Sequence, residues 1–287
     1  MNAPKINVLW RLMRFDKPIG ILLLAWPTCW ALWLASAGHP DTSIVLIFIL
    51  GTILMRAAGC VINDVLDRHI DVHVKRTQQR PLANQEISLN MAIGVFLLLC
   101  FLAFCLTWWL NLLVIKLAIV GFFLTSLYPL MKRFTQLPQG FLGLTFAWGI
   151  PMAYAAVQNR IPPHAWYLFA ATVLWIIAYD TQYAMVDRDD DLKIGVKSSA
   201  ILFGKYDRII IFILQSLFLG ILVSLGFANH FHLSYYIGLL LAAMLMVHQQ
   251  RLIRFRQPDM CFQAFLNNQW VGLVIMLGIM IGLHFHI

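Results

Sequence analysis

The chain consists mostly of apolar stretches of about 20 residues, separated by short connectors that carry most of its charge. A helix needs about 20 apolar residues to cross the ~30 Å hydrocarbon core of a bilayer. Only 12% of the 287 residues are charged, whereas a soluble domain has about 25%. The pattern predicts an all-α integral membrane protein with nine transmembrane helices, at about 19–37, 43–65, 91–109, 111–130, 138–157, 165–185, 208–227, 233–250 and 266–285.

The distribution of Lys and Arg predicts the orientation of these helices. All but three of the 21 basic residues lie before the first stretch or in every second connector, and the exceptions are Arg56, Lys116 and Arg160. Connectors rich in Lys and Arg stay in the cytoplasm. We therefore expect a cytoplasmic N-terminus and, after nine crossings, a C-terminus outside. The net charge of +8 follows from these connectors, so the chain is not expected to bind nucleic acid, and nothing indicates an obligate protein partner.

Two acidic patterns follow the second and sixth stretches, on the predicted cytoplasmic side. They read Asp67-Arg68-x-x-Asp71 and Asp187-Arg188-x-x-Asp191. Four stretches separate them, which predicts a duplicated four-helix unit of parallel orientation within a single domain of residues 1–287. The first repeat would span about 19–130 and the second about 138–250, followed by a ninth helix at about 266–285.

Helical spacing places each set of acids on one face. Asn63, Asp67 and Asp71 are spaced i, i+4, i+8, and Asp180, Asp187 and Asp191 are spaced i, i+7, i+11 with Tyr183 between them. Charged groups at membrane depth are costly, and two facing acidic stripes would repel. A divalent cation between the stripes removes both problems, and all-oxygen ligands favour Mg²⁺. Asp189 and Asp190 are expected to face water.

Basic residues stand close to the acids along the chain. Arg76 and Arg80 follow the first pattern, and Lys132 follows Tyr128-Pro129. Acids and bases at one membrane face, with room for Mg²⁺, indicate a diphosphate whose tail runs into lipid. The alternative interpretation is that these bases only set the membrane topology.

Arg56 is an ionisable residue inside the second apolar stretch. It precedes Asn63 by seven residues, which places it two helical turns deeper on the same face. A guanidinium at that depth needs an anionic or carbonyl partner. The carboxylate of a second substrate would serve, and the alternative is an internal ion pair with an acid such as Asp180.

The chain resembles the UbiA-type intramembrane prenyltransferases. Their two motifs, N-D-x-x-D-x-x-x-D and D-x-x-x-D, are matched by Asn63 to Asp71 and by Asp187 to Asp191. The likeness is closest to the bacterial 4-hydroxybenzoate polyprenyltransferases of ubiquinone biosynthesis. It is carried by RLMRFDKPIG at 11–20, LMRAAGCVIND at 54–64, HVKRTQQRPL at 73–82 and YDTQYAMVDRDDDLKIGVKS at 179–198.

The resemblance implies nine helices around a central cavity that opens to lipid, in the bacterial inner membrane. It implies Mg²⁺ and a polyprenyl diphosphate, octaprenyl-like, bound between the two motifs, and a 4-hydroxybenzoate acceptor whose carboxylate meets Arg56. The hypothesis assigns catalysis to Asp67, Asp71, Asp187 and Asp191, which with Asn63 hold the metal. Substrate binding is assigned to Arg56, Asn63, Arg76, Arg80, Lys132, Tyr128, Asp180 and Tyr183.

Two other functions compete with this hypothesis. A related enzyme could use another acceptor, such as a dihydroxynaphthoate or haem, but Arg56 and the quoted stretches favour 4-hydroxybenzoate. A cation-coupled transporter would place its acids on broken helices at the membrane midplane. Here the acids stand at the ends of the apolar stretches, which favours the enzyme.

Overall fold

The computed structural model describes residues 6–73 and 77–285, and in these ranges the chain is helical without a strand. The predicted all-α class is therefore confirmed. The α-helices are α1 (Ile6–Leu12), α2 (Ile19–Ala35), α3 (Thr42–Asp67), α4 (Leu89–Thr107), α5 (Leu112–Leu127), α6 (Met131–Phe134), α7 (Pro138–Ala147), α8 (Gly149–Gln158), α9 (Pro163–Ile194), α10 (Ser199–Phe203), α11 (Asp207–Ala228), α12 (Leu233–Leu252) and α13 (Pro258–His284). Short 3₁₀ helices occupy Asp71–His73, Tyr128–Leu130, Gly204–Tyr206 and Ile253–Phe255.

Each predicted apolar stretch coincides with helical structure in the described part of the chain. Seven helical segments there are long and apolar enough to cross a membrane, which makes this a multi-pass membrane protein. They are Thr42–Asp67, Leu89–Thr107, Leu112–Phe134, Pro138–Gln158, Ser199–Ala228, Leu233–Phe255 and Pro258–His284. The helix Ile19–Ala35 is apolar but shorter, so the count of nine crossings remains a prediction.

Several helices begin at side chains that cap their free backbone N–H groups. The Asp41 carboxylate accepts from the N–H of Ser43 at 2.7 Å before α3, and Asn111 accepts from Val114 at 3.1 Å before α5. Such caps satisfy donors that have no partner inside the helix. Asn111 also donates to the carbonyl of Ala155 at 2.6 Å. One side chain therefore separates the third and fourth apolar stretches and ties α5 to α8.

An aromatic cluster holds the centre of the bundle. The rings of Trp30 on α2 and Trp175 on α9 lie 5.3 Å apart, and Phe218 on α11 stacks on Trp175 at 5.6 Å. Trp30 also donates from Nε1 to the carbonyl of Gly272 on α13 at 3.1 Å. Helices in a bilayer associate through close packing and hydrogen bonds, because the surrounding lipid is as apolar as the helices. This cluster thus joins four helices and fixes the position of α9.

The two acidic motifs differ in backbone structure, which corrects the prediction for the first. Helix α3 ends at Asp67, and Asp71 lies in a separate 3₁₀ helix, so Asn63, Asp67 and Asp71 do not form one helical stripe. The N–H of Ile70 bonds to the carbonyl of Asp67 at 2.7 Å, and Thr77 Oγ1 donates to the carbonyl of Asp71 at 3.0 Å. These two bonds stabilise the turn that follows α3. Helix α9 instead continues to Ile194, well past the predicted end at 185, and carries the whole second motif.

Candidate active site

A cavity of about 1420 Å³ lies between the helices. Its wall includes all of the predicted site residues in the described ranges, from α3, α6, α9, the 3₁₀ helices and the connector after Asp71. These residues are Arg56, Asn63, Asp67, Asp71, Arg80, Tyr128, Lys132, Asp180, Tyr183, Asp187 and Asp191. Arg76 lies outside the described residues. The structure therefore brings together side chains that stand more than 100 positions apart in the sequence.

The acids of the first motif are buried and paired with bases. Asp67 is 2% exposed and Asp71 is 4% exposed. Lys132 forms an ion pair with Asp67, and Arg80 Nη1 lies 2.8 Å from Asp71 Oδ2. The turn that takes Asp71 off α3 thus delivers its carboxylate to Arg80, nine residues further along the chain. Cations and anions alternate across this end of the cavity.

Asp64 and Arg14 belong to this cluster, and the sequence hypothesis gave neither of them a role. Asp64 is 1% exposed. Its Oδ1 lies 2.9 Å from Arg14 Nη2 and 3.1 Å from Arg80 Nη1. The position of Asp64 beside Asn63 in the first motif was the available signal. Its pairing with Arg14 could not be read from spacing, because the two residues are 50 positions apart and Arg14 lies in the turn after α1.

Arg80 is the cation that joins these carboxylates. Burial disfavours its charged form, but the facing carboxylates of Asp64 and Asp71 outweigh burial and hold the pKa of Arg80 above its ordinary value. Arg80 consequently stays charged at any physiological pH. A permanent cation beside two carboxylates can bind an incoming phosphate oxygen without a change of protonation.

The residues present fit a hard divalent cation. The candidate ligands are carboxylate and amide oxygens, which are the donors that Mg²⁺ prefers. Asp67 Oδ1 is buried without a hydrogen-bond partner, and Asp67 lines the cavity. A buried carboxylate oxygen of this kind is costly unless a cation or a donor meets it. Within residues 6–73 and 77–285, no three His, Cys, Asp or Glu side chains stand close enough to form a metal site by themselves.

The acids of the second motif lie on different faces of α9. Asp187 and Asp191 line the cavity, and so does Asp180 two turns earlier on α9. Asp189 is exposed and Asp190 pairs with Lys193 at 3.1 Å, and neither lines the cavity. Since residues 187 and 191 are one helical turn apart, both reach the cavity while 189 and 190 point elsewhere.

Replacing Asp189 by Asn is expected to leave kcat/KM for any reaction in the cavity within about twofold of wild type. Its carboxylate faces water, where a charge interacts weakly with groups several ångströms away. Initial rates of the purified variant and of Asp187→Asn, side by side, would check this. A loss in Asp189→Asn as large as that in Asp187→Asn would contradict the division of the motif into two faces.

Arg56 stands deeper in the cavity, as its spacing predicted. Its guanidinium lies against Gly20 on α2, and Nη1 contacts the Cys60 sulfur one turn along α3. A Cβ atom built on Gly20 would overlap the guanidinium of Arg56, so glycine at this position lets Arg56 keep the conformation seen here. Arg56 Nε is buried without a hydrogen-bond partner. Arg56 therefore lines the cavity with a buried N–H donor that has no partner.

The far part of the cavity is apolar and reaches the outside of the bundle. Phe101 on α4 and Phe123 on α5 line the cavity, yet 63% and 56% of their surfaces are exposed. Aromatic side chains that face both the cavity and the outer surface indicate an opening toward lipid. The cavity thus joins a charged end to an apolar end, as an amphiphilic ligand requires.

Comparison with known proteins decides the family. Residues 24–279 match the UbiA prenyltransferase family. The chain belongs to this family. It is 55% identical to the 4-hydroxybenzoate octaprenyltransferase of Vibrio campbellii over 284 residues, covering 98% of this chain and 99% of the relative. It is 54% identical to the Coxiella burnetii protein of the same name over 271 residues, covering 94% of each chain.

Solved structures show the same UbiA fold. A UbiA homolog from Aeropyrum pernix superimposes with a TM-score of 0.80 at 22% identity, covering 91% of this chain and 97% of that one. A UbiA homolog from Archaeoglobus fulgidus, bound to GPP and Mg²⁺, gives a TM-score of 0.67 at 14% identity, covering 93% and 99%. The fold of the family is thus retained where little sequence identity remains.

Proposed function

We propose that this chain is a Mg²⁺-dependent 4-hydroxybenzoate polyprenyltransferase. It transfers a polyprenyl group, octaprenyl-like, from the diphosphate to the ring carbon ortho to the hydroxyl, and so serves ubiquinone biosynthesis. The observation that carries the proposal is one cavity with buried acid–base pairs at one end, an apolar opening at the other and Arg56 between the helices. Relatives about as long as this chain carry the name 4-hydroxybenzoate octaprenyltransferase.

The charged end binds the diphosphate. Asn63, Asp67, Asp71, Asp187 and Asp191 would hold Mg²⁺, and Arg80 and Lys132, with Arg76, add positive charge. When bound, Mg²⁺ supplies charge stabilisation to the departing diphosphate. Lys132 and Arg80 already face carboxylates, so they can exchange these partners for phosphate oxygens without moving into water. A fold relative solved with GPP and Mg²⁺ supports this assignment.

Arg56 orients the acceptor. A bidentate contact between its guanidinium and the 4-hydroxybenzoate carboxylate would hold the ring flat in the cavity. Because the hydroxyl of 4-hydroxybenzoate is para to its carboxylate, the hydroxyl and the ring carbons ortho to it then point away from Arg56 and toward the charged end. Asp180, Tyr128 and Tyr183 line the intervening wall and complete the substrate pocket.

The reaction replaces a ring hydrogen of the acceptor by the prenyl group. The allylic C–O bond ionises, the ortho carbon attacks the allylic carbon, and the ring proton leaves to restore aromaticity. The products are 3-polyprenyl-4-hydroxybenzoate and diphosphate. Apolar walls such as Phe101 and Phe123 exclude water that would otherwise capture the allylic cation. Asp187 or Asp191 takes the proton, since both line the cavity.

The membrane arrangement follows from the same proposal. All nine apolar stretches cross the bacterial inner membrane around the cavity, with the N-terminus and the active site in the cytoplasm and the C-terminus outside. The repeats at about 19–130 and 138–250 and the ninth helix at about 266–285 form one domain. Support comes from the Lys and Arg distribution and from the seven segments that meet the length and composition of a membrane span.

The test is prenyl transfer in membranes that contain the overproduced protein. Octaprenyl diphosphate, 4-hydroxybenzoate and Mg²⁺ are expected to yield 3-octaprenyl-4-hydroxybenzoate by mass spectrometry, with an equal amount of diphosphate. A chelator is expected to abolish product formation, and added Mg²⁺ is expected to restore it. A dihydroxynaphthoate in place of 4-hydroxybenzoate tests the alternative acceptor. Preferential reaction with it, or no diphosphate release with either acceptor, would contradict the proposal.

A further inference from the structure

Arg188 interrupts the second acidic motif, but it does not line the cavity. Its Nη2 lies 2.7 Å from Oδ2 of Asp207, the first residue of α11, and Asp207 is 0% exposed. Arg256, between α12 and α13, approaches the other oxygen of Asp207 at 2.8 Å. The backbone N–H of Arg208 donates to the same carboxylate at 2.6 Å. One buried carboxylate is thus held by two guanidinium groups that come from distant parts of the chain.

The two arginines also bind the backbone around Asp207. Arg188 donates to the carbonyls of Ala200 and Gly204, the latter at 3.2 Å. Arg256 donates to the carbonyl of Lys205 at 3.0 Å. These bonds connect the end of α9 to the segment before α11 and to the turn between α12 and α13. Side chains of this kind, which satisfy each other and nearby carbonyls, hold elements in one arrangement.

The equivalent arginine of the first motif makes a local contact. Arg68, the residue directly after α3, donates to the carbonyl of Val65 at 2.9 Å, in the last turn of that helix. Helix α3 ends at Asp67, within the first motif, whereas α9 continues through the whole second motif to Ile194. Among the described residues, the difference in the contacts of the two arginines thus coincides with the difference in backbone structure, and both cavity-lining acids of the second motif lie on a continuous helix.

We infer that Arg188, Asp207 and Arg256 form an ionic clamp that positions Asp187 and Asp191 toward the diphosphate end of the cavity. Arg188 is covalently next to Asp187, so the clamp fixes the rotation of α9 at the point where the two acids face the cavity. The three clamp residues are positioning residues, because none of them lines the cavity. This inference deepens the proposed function and rests on it for the role of Asp187 and Asp191.

The test compares Asp207→Asn and Arg188→Met with wild type. We expect the KM for the polyprenyl diphosphate to rise about 10- to 100-fold, the usual effect of losing a residue that orients a metal ligand. The KM for 4-hydroxybenzoate is expected to change much less, since Arg56, which meets its carboxylate in the proposal, is on α3. Asp207→Glu keeps the charge and is expected to recover most of the affinity. The KM of the double variant for the polyprenyl diphosphate is expected to be no higher than that of the more impaired single variant, because both changes break the Arg188–Asp207 pair.

A binding measurement separates this inference from the proposed activity. The melting temperature of the detergent-solubilised protein is measured as the concentration of geranyl diphosphate is raised in the presence of Mg²⁺. The binding midpoint is the concentration that gives half of the maximal increase in melting temperature. We expect that midpoint to rise by the same 10- to 100-fold in the clamp variants. If wild type binds geranyl diphosphate with Mg²⁺ but does not prenylate 4-hydroxybenzoate, the proposed function is wrong, and the midpoints still test the clamp.

Asp190→Asn is the matched control, because it removes an ion pair with Lys193 at the same end of α9 on the exposed side. It is expected to leave the binding midpoint and both KM values unchanged. Should Asp207→Asn fail to fold, Arg256→Gln removes one half of the clamp and leaves Asp207 paired with Arg188. The clamp is overturned by unchanged midpoints in the folded variants, or by equal increases in both KM values.

Discussion

Replacing Asp67 by Asn is expected to lower kcat/KM for prenyl transfer about 10³-fold or more. Loss of a single preorganised contact to the charge that develops in a transition state costs about 10²–10³ in kcat. The Asn variant loses the negative charge and one of the two carboxylate oxygens, both of which take part in the site. Oδ1 of Asp67 is the buried oxygen without a protein partner, and its Oδ2 pairs with Lys132. Asparagine keeps the size of the side chain, so the loss reports charge and coordination.

The measurement for Asp67→Asn is single-turnover product formation across a range of Mg²⁺ concentrations. Excess Mg²⁺ is expected to restore part of the activity if the carboxylate acts as a ligand, because mass action then compensates for weaker binding. Asp189→Asn is the control, since it removes one acid from an exposed position of the second motif. Rates near wild type in Asp67→Asn would exclude Asp67 from the metal site.

Replacing Arg56 by Leu is expected to raise the KM for 4-hydroxybenzoate about 10- to 150-fold. A hydrogen bond to a charged group contributes about 1.5–3 kcal/mol, and each 1.4 kcal/mol is a factor of ten in affinity. The KM for the polyprenyl diphosphate is expected to change little, because Arg56 lies two turns from Asn63 on the deeper side of α3. Steady-state kinetics with each substrate varied in turn would separate the two effects.

An acceptor without the carboxylate gives the control for Arg56. 4-Hydroxybenzamide has the same ring and hydroxyl but carries no negative charge. Wild type and Arg56→Leu are expected to use it with similar kcat/KM, since the lost interaction is absent from both reactions. Equal losses with both acceptors would assign Arg56 to packing against Gly20 and Cys60 instead of to substrate binding.

The helices and the cavity residues named in the sequence hypothesis could be predicted because both depend on local patterns. Apolar length identifies membrane helices regardless of how they pack. The spacing of Asp180, Asp187 and Asp191 defines one face of a helix wherever that helix lies, and in the structure all three line the cavity. The same geometry places Arg56 two helical turns before Asn63, and both residues also line the cavity.

Predictions failed where the chain leaves the helix. The spacing of Asn63, Asp67 and Asp71 assumes that α3 continues, but it ends at Asp67. Asp71 still reaches the cavity, because the turn presents its carboxylate to Arg80 at 2.8 Å. A helix end of this kind depends on contacts made by the following connector, so periodicity within the helix does not reveal it.

The amino-acid sequence alone determined the helical class, the family and many of the acids and bases at the site, because these depend on apolar length, spacing and residue type. Only the tertiary structure decided how the charges pair. Asp64 meets Arg14, and Arg188 turns from the cavity to Asp207. Such pairs join residues from separate parts of the chain, and the partner of each residue depends on how those parts pack. Helical periodicity fixes the direction in which a side chain leaves its helix, but it does not determine which residue of another segment lies in that direction.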